Sequence, residues 1–234
     1  MMYNVNEINL TSILGTPTIH KRQQGKRAGN DKRKYINTIS AFDIETTRIP
    51  TIDNSVMYIW QWHFRNLDKE DDGITIYGRT WQEYLSTCEE IKTWINSNFD
   101  TKAEPIFMVR LVHNLSYEFQ FLSGIYPYTE NEVFAMEKRK VARADSFGCI
   151  EDRCTYIHSN LSLRKYAKNW NAKHLKESGI EFDYEKPRYS WTPMTTKELE
   201  YCENDVLSVT DAYINEMNHY HDTLYSIPLL PRDM

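Results

Sequence analysis

The stretch ISAFDIETTRIP, Ile39 to Pro50, ends an apolar, β-branched run on two carboxylates, Asp43 and Glu45. Residues i and i+2 of a strand point to one face, so both acids project from the same side at the strand's end. Two carboxylates so placed repel each other and cost desolvation unless a cation lies between them. The chain must therefore fold with this strand end open to an ion, or else expose it as a solvated turn.

The segments that follow limit the architecture further. YINTISAF reads as a strand ending at Asp43, VMYIWQWHF (Val56 to Phe64) as a second and ITIYG (Ile74 to Gly78) as a third, with the acidic turn KEDDG making a hairpin of the last two. Thr80 and Glu83 have the spacing of a capping box. Behind them Trp81, Leu85, Cys88, Ile91, Ile95 and Phe99 recur at helical spacing. IFMVRLVHN (Ile106 to Asn114) is a fourth strand and runs into a helical LSYEFQFL stopped by Gly124. Val133 to His158 holds two β-prone pieces around EKRK and DSFG, read as one hairpin, and SLRKYAKNW (Ser162 to Trp170) is helical. After the loop EKPRYSWTP, a long helix opens at the box Thr195 and Glu198. The order three strands, helix, strand, helix, hairpin, helix, long helix predicts an α/β fold, a mixed β-sheet flanked by α-helices.

At 234 residues the chain can fill one core, and its charge of −5 disfavours a general nucleic-acid coat while permitting an enzyme with a local basic surface around an acidic site. Tyrosines number 16, which suits base stacking and equally an aromatic core. Cys88, Cys149, Cys154 and Cys202 form no CxxC pair and no zinc-like spacing with histidine, as expected of free thiols in a reducing cytoplasm. The N-terminus has no secretory pattern, and no run approaches the ~18 apolar residues of a membrane span. Residues 1–34 read as a basic N-terminal extension. Within it HKRQQGKRAGNDKRK is either a phosphate-contacting arm or a solvated leader.

Two further places carry acids at chemically useful positions. HNLSYEFQFL puts Asn114 at a strand end and Glu118 one helical turn later, and YCENDV sets Tyr201 and Asp205 four apart on one helical face. Each alone also fits a helix-surface residue. A DxE after a first strand, an HNxxxE after a later strand and a YxxxD on a late helix, in that order, form a specific combination.

With these motifs the sequence resembles the 3′–5′ exonuclease domain of family B DNA polymerases, in the DEDD superfamily with the ribonuclease H-like fold. It looks most like the protein-primed branch of bacteriophages and linear plasmids. FDIETT, HNLSYEFQFL and YCENDV stand for the three exonuclease motifs, and the likeness covers roughly Tyr35 to Asn218. The resemblance implies an exonuclease domain over residues 35–222. It also implies two Mg²⁺ or Mn²⁺ ions, with Asp43 bridging both, Glu45 and Asp205 completing the water-activating site, and Glu118 serving the other. Tyr201 would orient the attacking water. The sister subclass uses histidine where this chain has Glu200, and the family usually has aspartate where this chain has Glu118.

By the same resemblance Thr46, His113, Asn114, Tyr117, Thr155 and Tyr184 contact a frayed single-stranded DNA 3′ end. A catalytic lysine is expected before the acidic-tyrosine loop, as Lys176 or its rival Lys173; Lys165 and Lys168 are phosphate contacts or solvated. Neither a YxDTD-type nor a DxxSLYP-type polymerase motif is present, so the chain is expected to be an isolated exonuclease domain or the N-terminal part of a polymerase. Residues 223–234 would then be a tail or linker, and a polymerase domain or subunit and a terminal-protein primer would be the partners. The competing reading is a non-catalytic DNA-binding or polymerase-docking module of the same fold. An RNA-directed exonuclease also stays open.

Overall fold

The computed structural model describes residues 2–21, 33–49, 51, 54–175 and 186–232. Eight strands join in one sheet. They are β1 (Met2–Asn4), β2 (Lys34–Ile49), β3 (Asn54–Asn66), β4 (Ile74–Gly78), β5 (Ile106–Val112), β6 (Val133–Glu137), β7 (Lys140–Ser146) and β8 (Ile150–Cys154). Their order is β1-β4-β3-β2-β5-β8-β7-β6. The ribbon β2–β3–β4 is antiparallel, as are β6–β7–β8, whereas β2–β5, β5–β8 and β1–β4 are parallel. The sheet is thus mixed and flanked by helices, the α/β architecture expected from the segment order.

Alternation along β2 sends its two faces to different partners. Ile36, Phe42 and Ile44 join Trp60, Trp62, Tyr84, Cys88, Ile91 and Leu115 in the larger core. That core lies under α1 (Leu10–Leu14), α2 (Trp81–Asn98) and α3 (Leu115–Leu122). Tyr35, Ile39 and Ala41 face the other way, onto Val206, Val209 and Tyr213 of α6 (Thr196–His219). Asp43 and Glu45 have the parity of Ile39 and Ala41, so they continue the row that α6 covers. Two shorter helices, α4 (Thr155–Ser159) and α5 (Leu163–Asn169), lie between β8 and α6, with Tyr166 and Ala167 of α5 packed on Ala212 of α6.

Both capping boxes form: Thr80 with Glu83 at α2, and Thr195 with Glu198 at α6. The first strand does not end at Asp43. It runs to Ile49 because β3 offers an antiparallel partner all the way from Thr38 to Ile49, with a register shift between Glu45 and Thr46. Val133 to His158 is not one hairpin; it is a three-stranded meander followed by α4. Phe147 (φ 54°) and Gly148 (φ 71°) make the tight turn into β8. β8 reads as polar in sequence but is fully buried, because its acids and Arg153 all find partners. Asp152 takes Arg110 of β5 at 2.5 and 2.9 Å, and Glu151 takes Arg33 at 2.6 Å and Arg153 at 2.7 Å.

Of the segment read as an extension, β1 adds an edge strand, and Leu10 and Leu14 of α1 are buried in the larger core. The basic stretch 22–32 lies outside the described residues. At the other end, Leu224 and Ile227 of the expected linker are buried against the α6 side. The four cysteines are free and buried, and no helix among the described residues is long and apolar enough to cross a membrane.

Candidate metal centre

Parallel strands β2 and β5 run in register to Ala41 and Leu111, after which β5 stops at Val112 and β2 continues. Asp43 and Glu45 therefore emerge just past the carboxyl end of β5, the place where open α/β sheets leave a crevice. From the helix side, Asp205 arrives about two and a half turns into the capped α6, buried to 5% exposure. One carboxylate oxygen from each of Asp43, Glu45 and Asp205 lies within 4.8 Å of the other two. Residues 160 positions apart in the chain meet because β2 and α6 pack face to face.

Glu118 joins them from the first turn of α3. It is 3% exposed, and its carboxyl is pushed well above the ordinary range, first by burial and then by the charge of Asp43. Its Oε2 is buried and has no hydrogen-bond partner among the described residues. The negative field is felt by neighbours as well. Burial raises the Cys202 thiol first, and Glu45, Asp43 and Asp205 push it higher. Burial likewise raises the Tyr117 hydroxyl, with Glu118, Glu45 and Asp43 adding to the shift and Thr46 opposing it.

This donor set suits a hard divalent cation. Oxygens bound to one ion at about 2.1 Å sit roughly 3–4 Å apart, so a small contraction of the observed cluster accommodates it. All donors are carboxylate oxygens, as Mg²⁺ or Mn²⁺ prefers, with no sulfur or imidazole among them. The unpartnered, buried Oε2 of Glu118 beside Asp43 is what a second coordination position requires.

The remaining sequence-derived residues fall into groups. Thr46 Oγ1 and Tyr117 Oη are hydrogen-bonded at 2.6 Å, and the Tyr117 ring, 37% exposed, leans on Phe121 at 5.5 Å. His113 Nδ1 meets Thr155 Oγ1 at 3.0 Å, while Asn114 adopts the left-handed conformation (φ 73°) that turns β5 into α3. Thr155 is fully buried, so its hydroxyl serves His113 rather than an open groove. Tyr201 is buried beside Tyr58 and Ile59, one helical turn before Asp205. Lys173 is paired with Asp72, on the β3–β4 turn. Lys176 and Tyr184 lie outside the described residues.

Two residues at the site were not singled out from sequence. Gln61 of β3 donates from Nε2 to Asp43 Oδ2 at 2.8 Å. The available signal was a lone amide inside the aromatic run YIWQWHF. Arg188, 4% exposed, donates its backbone N–H to Thr47 Oγ1 at 3.2 Å and grips Glu198 at 2.7 and 2.9 Å. It ties the end of β2 to the start of α6, the two elements that carry Asp43, Glu45 and Asp205; no local pattern marks it.

Fold and site together describe an α/β protein with a carboxylate cluster at the ends of its parallel strands. No protein-family model and no curated protein matches the chain. By structure it is similar to phi29 DNA polymerase complexed with single-stranded DNA, at TM-score 0.60 and 12% identity, over 80% of this chain and 33% of that one. The same polymerase complexed with primer-template DNA and incoming nucleotide substrates matches at TM-score 0.59 and 12% identity, over 80% and 32%. The chain spans about a third of the polymerase's length. At this identity the likeness is one of fold, and the fold is ribonuclease H-like.

Proposed function

We propose that this chain is a metal-dependent 3′–5′ exonuclease that removes nucleotides from single-stranded or frayed DNA 3′ ends, as the proofreading domain of a protein-primed family B DNA polymerase does. The observation that carries the reading is the convergence of Asp43, Glu45 and Asp205 within 4.8 Å, with Glu118 buried against Asp43. Four acids brought this close together are costly to gather, and a divalent ion offsets that cost.

Asp43, Glu45, Glu118 and Asp205 would hold the Mg²⁺ or Mn²⁺ ions. Divalent ions bound there supply a nucleophilic water at neutral pH and relief of charge on the departing 3′ oxygen. Tyr201 sets a hydroxyl one helical turn from Asp205, where it can orient the attacking water. Gln61 holds one oxygen of Asp43 and so fixes the plane of that carboxylate. The linked hydroxyls of Thr46 and Tyr117 offer hydrogen bonds to the terminal nucleotide, and the half-open Tyr117 ring offers a face to its base. His113, steadied by Thr155, and Asn114 line the same strand end. Lys176 remains the choice for a charge-stabilising lysine and Tyr184 for a further strand contact. Such binding reads no base edge, which suits removal of any mispaired end. A polymerase domain or subunit would be the source of those ends.

The test is a 5′-labelled single strand incubated with Mg²⁺ or Mn²⁺ and either the wild-type chain or Asp43→Ala. Stepwise shortening from the 3′ end that the substitution abolishes is the expected result. Binding without shortening by the wild-type chain would instead identify a non-catalytic module. An RNA strand of the same sequence, run alongside, decides the nucleic-acid preference.

A further inference from the structure

The loop EKPRYSWTP, which has no place in the chemistry above, ends in a clamped turn that presents an aromatic pair. Tyr189 and Trp191 stack with ring centroids 4.9 Å apart and planes only 6° from parallel. Trp191 is 76% exposed, the most open of the large hydrophobic side chains among the described residues. A flexible surface tryptophan would not hold this geometry; here the backbone is braced. Thr192 N–H donates to Tyr189 O at 2.9 Å, and Tyr189 N–H donates to Thr192 Oγ1 at 2.9 Å. Arg79 then locks the turn from beneath, donating to the carbonyls of Tyr189 and Thr192, each at 2.8 Å, and to Tyr58 O at 2.6 Å.

The turn is also tied to the acidic site. Arg188, immediately before Tyr189, bonds Thr47 on β2, two residues past Glu45. Two strand residues span about 7 Å, and three residues from Arg188 to Trp191 reach at most about 10 Å. The platform therefore stands within roughly 20 Å of the carboxylates, inside the reach of a bound strand several nucleotides long. Lys186 and Lys197, both exposed, flank it in sequence, whereas Arg188 is neutralised by Glu198.

We infer that Trp191, backed by Tyr189, is a stacking platform for a base of single-stranded DNA upstream of the 3′ end held at the carboxylates. This extends the nuclease reading and rests on it for the strand's direction. A preorganised ring pair binds without paying to order the loop, and a π-face accepts any base. Because the platform is away from the 3′ terminus, it acts on longer strands and not on the last nucleotides.

The test uses the full chain in EDTA, so that binding is read without hydrolysis. Fluorescence anisotropy follows labelled oligothymidylates of about three and about twelve nucleotides, a range spanning common single-strand site sizes. Trp191→Ala is expected to weaken binding of the longer strand at least about fivefold, the lower end of what one base–aromatic stack supplies, and to leave the shorter one unchanged. Trp191→Phe should recover most of the loss. Circular dichroism checks that the exposed substitution leaves the fold intact. Equal affinity of wild type and Trp191→Ala for the longer strand overturns the inference and assigns the ring pair to another partner. A wild-type chain that binds neither strand overturns it too. Binding that depends on Trp191, in a chain that does not shorten DNA with Mn²⁺, leaves the platform standing and removes the nuclease reading.

Discussion

Substituting Asp205→Asn should make the metal-free protein more stable, and that gain measures the cost of assembling the site. The carboxylate oxygens of Asp43, Glu45 and Asp205 are within 4.8 Å of one another. At that separation and an effective dielectric near 20, each like-charged pair repels by about 3.5 kcal/mol. Asp205 takes part in two such pairs, about 7 kcal/mol before screening. Asp43 and Glu45 are only partly buried, and the acids' other partners, salt and shared protons reduce the figure, so a net gain of about 2 kcal/mol is expected. For a domain of this length that is a rise in melting temperature of about 4–8 °C. The assay is thermal unfolding at neutral pH in EDTA and again in Mn²⁺. Wild type at a hundredfold excess of metal over its dissociation constant gains about 2.7 kcal/mol, which Asp205→Asn should largely forgo. The two melting curves should therefore exchange order on adding metal. A variant that melts below wild type in EDTA, or that responds to Mn²⁺ as wild type does, would refute the assignment of these acids to a cation.

Two further perturbations probe neighbouring parts of the argument. Glu118, whose carboxyl is raised above its ordinary value of 4.5 by burial and by Asp43, binds a proton more tightly folded than unfolded. The metal-free protein should thus lose stability as pH rises from about 4.5 toward the folded value, and Glu118→Gln should flatten that slope; urea melts across pH in EDTA read it. Arg110 is fully buried, paired with Asp152 and enclosed by Phe42 and Trp62 at 4.6 and 4.5 Å, so Arg110→Met strands a buried carboxylate and should cost about 3–5 kcal/mol in urea unfolding.

The parts of this fold that were legible in sequence are those made by neighbours in the chain. Thr80 with Glu83 and Thr195 with Glu198 are caps that close within four residues, and both form. The limits Ile74–Gly78 follow from an alternating pattern between turn residues. The meander was misread because Glu151, Asp152 and Arg153 look solvent-bound until Arg33 and Arg110 are brought to them from other elements. The continuation of β2 past Asp43 was missed for a similar reason: its length is set by β3, not by its own composition.

The candidate site divides the same way. Period-two alternation alone put Asp43 and Glu45 on one face, and period 3.6 put Tyr201 and Asp205 on another, because each is a property of one element's backbone. That the two faces meet was decided by packing, when Ile39 and Ala41 buried themselves against Val206 and Val209 and drew the acids after them. Gln61 on Asp43, Arg188 between Thr47 and Glu198, and the clamp of Arg79 on the Trp191 turn are likewise contacts between separate segments, spanning 10 to 141 positions. No local pattern encodes such pairings, since their energy is realised only once the chain has closed the intervening loops.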